Sequence, residues 1–100
     1  MTPDEVGRYA ESLAQVKRKG TETRPAWYVN NRLVVRLHDA NTLVIRVPLS
    51  RRELLLETYP DNFGVPPRME GHHKVEAYLD RASPRAVRAA IELAWAMQRR

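Results

Sequence analysis

Alternation of apolar and polar residues is the strongest pattern in this chain, and it runs from Ala26 to Val47. The segment reads AWYVNNRLVVRLHDANTLVIRV and repeats with a period of two residues. Such a period is typical of strands that bury one face and expose the other. Turn residues at Asn30–Asn31 and at Asp39–Asn41 divide the segment into three strands. We therefore predict an antiparallel sheet built around this segment.

The pairing of these strands determines which side chains face the core, and a register that groups apolar residues is preferred. Because asparagine tolerates positive φ, Asn30–Asn31 predicts a two-residue turn that pairs Val29 with Arg32 and Trp27 with Val34. The core face is then predicted to carry Ala26, Tyr28, Leu33, Val35, Leu37, Leu43, Ile45 and Val47. The opposite, open face is predicted to carry Trp27, Val29, Arg32, Val34, Arg36, Val44 and Arg46.

Three helices are indicated by apolar residues at helical spacing and by capping residues. They are predicted at Thr2–Ala14, at Arg51–Thr58 and from Pro84 onwards, with Thr2, Ser50 and Ser83 as the respective N-caps. Glu5 and Glu53 lie three residues after the first two caps, which predicts two capping boxes. Pro84 suits the first position of the last helix.

Further strands are predicted after the second helix and near the N terminus. Val16–Lys19 reads as a short edge strand, where lysine and arginine discourage unwanted pairing. His73–Leu79 alternates clearly, with Lys74 and Tyr78 on its polar face, and a short extended piece is expected at Phe63–Val65. The order of elements predicts an α+β fold, a two-layer sandwich of an antiparallel sheet with helices on one face. The 100 residues suit a single domain, 1–100.

Composition narrows the function classes. Apolar residues make up 43% of the chain and charged residues 29%, which is ordinary for a globular protein. The absence of cysteine excludes disulfides, thiol nucleophiles and thiolate metal sites. The N-terminal residues lack the basic and apolar regions of a signal peptide, and no apolar run approaches membrane-spanning length, so a cytoplasmic protein is expected. The formal net charge of +5 favours polyanionic partners.

Residues that carry catalysis or bind metal do not form a recognisable constellation. The adjacent pair His72–His73 would point to opposite faces of a strand, which makes it a poor chelate with His38. Ser50 and Ser83 are accounted for as helix caps, and Ser12 has no base partner in the sequence pattern. We therefore expect no catalytic residue, no metal and no cofactor.

The basic open face is the best functional candidate. Phosphate contacts need lysine or arginine, and exposed bases stack on aromatic rings. The candidate nucleic-acid-binding residues are Trp27, Arg32, Arg36, Arg46, Lys74, Tyr78, Lys17, Arg18 and Lys19. The plainer alternative is a solvated sheet face whose arginine stems cover Val34 and Val44. Arg51, Arg52 and Arg68 could add phosphate contacts from neighbouring loops.

An ordered series of short motifs resembles the MmcQ/YjbR family. The series comprises Trp27–Val29, Asn31–Leu33, Thr42–Val47, Arg52–Leu55, Gly71–His72, Val75–Asp80 and Ala94–Trp95, and covers nearly the whole chain. The resemblance implies a small bacterial protein with a frataxin-like fold and a proposed double-wing DNA-binding arrangement. Iron binding is not expected, because the first helix lacks an acidic ridge.

Two functional hypotheses follow from the sequence. The first is a small, monomeric, non-enzymatic protein that binds DNA through the basic sheet face and adjacent loops. The second is a protein-interaction or small-ligand-binding module that uses the same face, with Trp27 as an apolar anchor. Salt-dependent nucleic-acid binding separates the two, because phosphate contacts weaken steeply with salt.

Overall fold

A six-stranded antiparallel sheet with three helices forms the molecule, and the computed structural model describes residues 1–100. The elements are α1 (Pro3–Ser12), β1 (Lys17–Gly20), β2 (Pro25–Val29), β3 (Arg32–Asp39), β4 (Thr42–Ile45), α2 (Leu49–Thr58), β5 (Phe63–Gly64), β6 (Val75–Tyr78) and α3 (Pro84–Gln98). The strand order is β1-β2-β3-β4-β6-β5. The predicted α+β fold is confirmed, including the edge strand and the short extended piece at Phe63. None of the three helices has the length and apolar composition needed to span a bilayer.

The first and last helices begin where the sequence predicts. The Thr2 side chain accepts a hydrogen bond from the Glu5 amide, and the Glu5 carboxylate accepts one from the Thr2 amide. The hydrogen bond from the Thr2 amide lowers the pKa of Glu5, because it favours the charged carboxylate. Ser83 Oγ accepts from the Ala86 amide at 3.1 Å and caps α3. Both caps satisfy amides that a helix leaves without partners.

The predicted capping box of α2 is wrong. The helix begins at Leu49, one residue before Ser50, and no side chain of its own segment caps it. Instead the Leu49 amide donates to Nδ1 of His73, at 3.1 Å. Glu53 pairs with the neighbouring Arg52 rather than with a cap residue. Residues 24 positions apart thus replace the local motif, which a local sequence pattern does not reveal.

Helices α1 and α3 cover one face of the sheet. The buried face of α3 consists of Ala86, Val87, Ala90, Ile91, Ala94 and Gln98. Gly7 lets α1 approach closely, because a Cβ there would lie 2.8 Å from the ring of Trp27. Helix α2 lies beside α3, and a cavity between them is lined by Arg51 and Met97 among others. The other face of the sheet carries no helix.

A β-bulge in the first long hairpin changes the predicted register. Asn30 and Asn31 have φ of 52° and 62°, as the two-residue turn requires. Val29 pairs with Arg32 and Tyr28 with Leu33, as predicted. Beyond them the register shifts, and Trp27 pairs with Val35 instead of Val34. One extra residue in β3 therefore reverses the predicted faces of the whole of β2 and of the start of β3. Trp27, Val29 and Arg32 lie on the covered side, while Ala26, Tyr28 and Leu33 lie on the other face. Val34, predicted on the open face, is the extra residue and is buried.

Candidate nucleic-acid interface

One row of paired residues crosses the uncovered face of the sheet from edge to edge. It comprises Lys19, Ala26, Arg36, Val44, Glu76 and Gly64, each paired with the next. Because side chains alternate between faces along a strand, the residues two positions away share this face. They include Lys17, Tyr28, Thr42, Arg46, Lys74 and Tyr78. Leu33, beyond the bulge, shares the face because it pairs with Tyr28. We call the face defined by these residues the open face.

Positive charge dominates the open face. Its cations are Lys17, Lys19, Arg36, Arg46 and Lys74, and Glu76 is the carboxylate in its cross-strand row. Asp39, at the end of the β3–β4 hairpin, accepts a hydrogen bond from the Asn41 amide at 2.9 Å, which lowers its pKa. The one ion pair within 4.0 Å in the molecule joins Arg52 and Glu53, away from these five cations. Their charges are therefore available to an anionic ligand.

Tyr28 lies on the open face beside the β1 edge, where the sequence predicted a core residue. Its side chain is half-buried, and Lys19 Nζ lies 5.2 Å from the ring centroid. Lys19 also donates to Asn31 Oδ1 at 3.0 Å. These residues line a cavity of about 360 Å³ together with Gln15, Lys17 and Asn30. Tyr28 lies on the open face because of the register shift at the bulge, which the strand pairing shows and the sequence alone does not.

Tyr78 lies near the opposite edge of the open face. Its ring crosses Gly64, where an added Cβ would overlap the tyrosine hydroxyl. The guanidinium of Arg81 lies 4.4 Å from the ring centroid. Burial and the neighbouring Glu76 carboxylate raise the pKa of Tyr78, because both disfavour the phenolate. Arg81 extends the basic surface, and the signal that would have found it is its position three residues after Tyr78 in a turn.

Three predicted binding residues do not belong to the open face. Trp27 is 2% exposed, points into the helix layer and donates from Nε1 to Glu11 at 3.1 Å. It therefore supplies neither a stacking platform nor an apolar anchor. Arg32 pairs with Val29, which lies on the covered side, and remains exposed at the end of the hairpin. Arg18 pairs with Trp27 and lies 6.0 Å from its ring centroid, also towards the helix side.

A second basic cavity continues the open face beyond the ends of β4 and β6. Its volume is about 400 Å³, and Arg46, Gly71, His72, His73 and Lys74 line it. None of these five residues is acidic or apolar. Val47 N–H donates to the His73 carbonyl at 3.0 Å, which extends the sheet to this loop. The structure therefore brings Arg46 and Lys74 together, as the sequence predicted from their common face.

Arg52 lies beneath this loop and is 5% exposed. Its guanidinium donates to the carbonyl oxygens of Met69, Glu70 and His72 at 3.1, 2.7 and 2.8 Å. All of its charged head is therefore engaged, and Arg52 does not supply the loop phosphate contact considered from the sequence.

Side chains with catalytic or metal-binding potential are dispersed. No group of three or more His, Cys, Asp or Glu side chains is arranged to hold a metal ion. His38 lies by the β3–β4 turn, at the far end of these strands from His73. Ser12 Oγ donates to the Tyr9 carbonyl, and Ser83 caps α3. The open face is therefore the surface with the most concentrated binding chemistry.

Comparison with known proteins identifies a similar fold. The sequence matches no protein-family model and no curated protein. The structure is similar to the crystal structure of the Deinococcus radiodurans protein DR2400, which has a DUF419 domain, with a TM-score of 0.69 and 18% identity. The match covers 95% of this chain and 74% of the DR2400 chain. DUF419 is a YjbR/MmcQ-like family. At this identity the similarity establishes a shared fold.

Proposed function

We propose that this chain is a cytoplasmic YjbR/MmcQ-like protein that binds nucleic acid, without enzymatic activity, through the open face. The observation that carries the proposal is the concentration of five cations without ion-pair partners on a face that no helix covers. Electrostatic attraction to phosphates is the main source of non-specific nucleic-acid affinity. The motif series in the sequence and the DUF419-like fold support the family assignment.

The form of the surface favours a single strand over a duplex. Reading a duplex needs an element that enters a groove, and the open face is a sheet surface without a projecting helix. A single strand instead needs a basic surface for phosphates and aromatic rings for bases. Tyr28 and Tyr78 supply the rings at the two sides of the face, with Arg36 and Arg46 between them. We therefore propose single-stranded DNA as the first ligand to test.

The test measures binding of a labelled single-stranded oligonucleotide over a range of salt concentrations. About four phosphate contacts would lower the affinity about 50-fold between about 50 and 200 mM salt. The double variant Arg36→Glu, Arg46→Glu should bind at least about tenfold more weakly and reduce the salt slope by about 1.4. Because both side chains lie on the sheet surface, the variant should still fold, which circular dichroism checks.

The matched control is Arg85→Glu with Arg88→Glu, on the exposed side of α3. Both double variants lower the net charge by the same amount. Equal losses in the two variants would show that net charge, and not the open face, governs binding. No binding by the unmodified protein at low salt would reject nucleic acid as the ligand and favour a protein or small-molecule partner.

A further inference from the structure

The exposed loop at residues 69–74 is fixed by hydrogen bonds from two sides. The buried Arg52 donates to three of its carbonyl oxygens. From the other side, His73 Nδ1 accepts the Leu49 amide at the start of α2. A guanidinium fixes several acceptors at once because its five N–H groups lie in one rigid plane. These hydrogen bonds therefore give the loop a defined conformation, although it lies at the protein surface.

In this conformation, some backbone amides of the loop have no hydrogen-bond acceptor within the protein. The backbone amides of His72 and Lys74 donate to carbonyls within the loop, at 3.0 and 2.8 Å. The amides of Gly71 and His73 donate no hydrogen bond within the protein. A neutral His73 that accepts at Nδ1 carries its proton on Nε2, which is a further donor. The loop thus presents hydrogen-bond donors beside the cations of Arg46 and Lys74.

We propose that this cavity is a phosphate-binding subsite. Arg46 and Lys74 supply the charge, the Gly71 and His73 amides supply donors, and Arg52 is a positioning residue that holds the loop. Gly71 suits this role because a Cβ on it would meet no atom within 4 Å, so the space above it is open to a ligand. A phosphate group fits this chemistry, since its oxygens accept from cations and backbone amides together. The inference rests on the proposed function for the source of the phosphate, a nucleic-acid chain.

The test follows backbone amide chemical shifts during titration with three ligands. These are inorganic phosphate, a 5′-phosphorylated thymidine trinucleotide and the same trinucleotide with a 5′-hydroxyl. Phosphate should shift the Gly71 and His73 amides. Stronger binding of the 5′-phosphorylated trinucleotide would assign the subsite to a terminal phosphate, and equal binding of both would assign it to the phosphodiester backbone. Shifts with inorganic phosphate alone would retain the subsite but make free phosphate its ligand.

Two results would overturn the inference. One is loop shifts no larger than those given by chloride at equal ionic strength. The other is loop amides that shift with neither inorganic phosphate nor a trinucleotide, although the trinucleotide shifts the amides of Lys19 and Tyr28. That second result would leave the proposed function intact, so the two ideas fail separately.

Three variants locate the effect. Lys74→Gln should weaken phosphate binding about fivefold, the size of one exposed charge contact. Arg85→Gln removes the same charge from α3 and should leave phosphate affinity unchanged. Arg52→Lys keeps the buried charge but loses the planar fork, so phosphate affinity should fall although Lys74 is intact. Unchanged phosphate affinity in a folded Arg52→Lys protein would show that Arg52 has no positioning role. If the Arg52→Lys protein fails to fold, the Lys74→Gln variant still tests the subsite.

Discussion

The two faces of the sheet keep their apolar residues from water in different ways. On the covered face, Trp27, Val35 and Ile45 are each at most 2% exposed under helices α1 and α3. On the open face, Val44 is also 2% exposed although no helix lies above it. Its cross-strand neighbours are Arg36 and Glu76, whose long stems can cover an apolar side chain while their charged ends stay in water. The apolar residues of the open face are therefore shielded in part by Arg36, a side chain that we also propose for binding.

Trp27 and Tyr28 offer the sharpest test of this comparison, because they are adjacent and point to opposite faces. Trp27→Ala should lower the free energy of unfolding by about 3–5 kcal/mol, the usual cost of emptying a large aromatic site in a core. It also removes the hydrogen bond to Glu11. Tyr28→Ala should lower it by about 1 kcal/mol, since the side chain is only half-buried. Urea denaturation of both variants measures the two values.

For nucleic-acid affinity the order should be reversed, and substitution of Tyr28 should have the larger effect. Tyr28→Ala should weaken binding of single-stranded DNA by about 1–3 kcal/mol if its ring stacks on a base. A conservative Trp27→Phe variant, which keeps the core filled, should bind normally. Comparable losses of stability for Trp27→Ala and Tyr28→Ala would mean that both rings are buried to the same extent.

The position of the bulge explains how far the sequence predicted the sheet. Alternation identified all three strands of the 26–47 segment, and the two asparagines identified the first turn, because both signals are local. The extra residue in β3 is Val34, between Leu33 and Val35, and no glycine or other local signal marks it. Its consequence for Trp27 is large, since a shift of one residue exchanges the two faces. A glycine within a helix likewise gives no local sign that Gly7 makes room for that tryptophan.

The candidate site was predicted where it depends on strand periodicity and missed where it depends on long-range contacts. Arg36, Arg46, Lys74 and Tyr78 share a face because of the period of two, and the structure confirms that placement. The anchoring of the 69–74 loop depends on Arg52, 17 to 20 residues away in the chain. Its buried guanidinium could not be distinguished from its exposed neighbour Arg51 in the sequence. Its role follows from packing and has no local sequence signature.

Gln98 is a polar residue on the otherwise apolar buried face of α3. This residue is 3% exposed, and its side-chain Nε2 is buried without a hydrogen-bond partner. Leaving a buried polar group unsatisfied costs about 1–3 kcal/mol, so Gln98→Met should raise the free energy of unfolding by about 1 kcal/mol. Gln98→Glu, of similar size, should lower it because it buries a charge. Thermal denaturation of both variants checks this, and a loss of stability in Gln98→Met would show that the amide is needed.

A comparison of Tyr9 and Tyr78 tests how exposed to solvent the edge of the open face is. Tyr9 belongs to helix α1, where it donates to Glu92 of α3 at 3.3 Å, and Tyr78 belongs to the open face. Burial raises the pKa of both tyrosines, and a nearby carboxylate adds to the effect in each case. The pKa of the open-face tyrosine is therefore shifted in the same direction as that of Tyr9 on helix α1.

The sign of the resulting pH effect follows from the raised pKa. The folded state holds the phenol proton more tightly than the unfolded chain, so its stabilising contribution is complete below about pH 10 and is lost as the pH rises through the folded value. Tyr9→Phe and Tyr78→Phe should each flatten the fall in melting temperature above about pH 10, while changing little at neutral pH. Ultraviolet titration of the remaining tyrosinate assigns each step. If Tyr78→Phe left the alkaline profile unchanged while Tyr9→Phe flattened it, the ring of Tyr78 would be fully solvated. Its surroundings would then differ from those that Gly64 and Arg81 provide in this structure, and the open face would lose one of its two proposed stacking rings as a preformed feature.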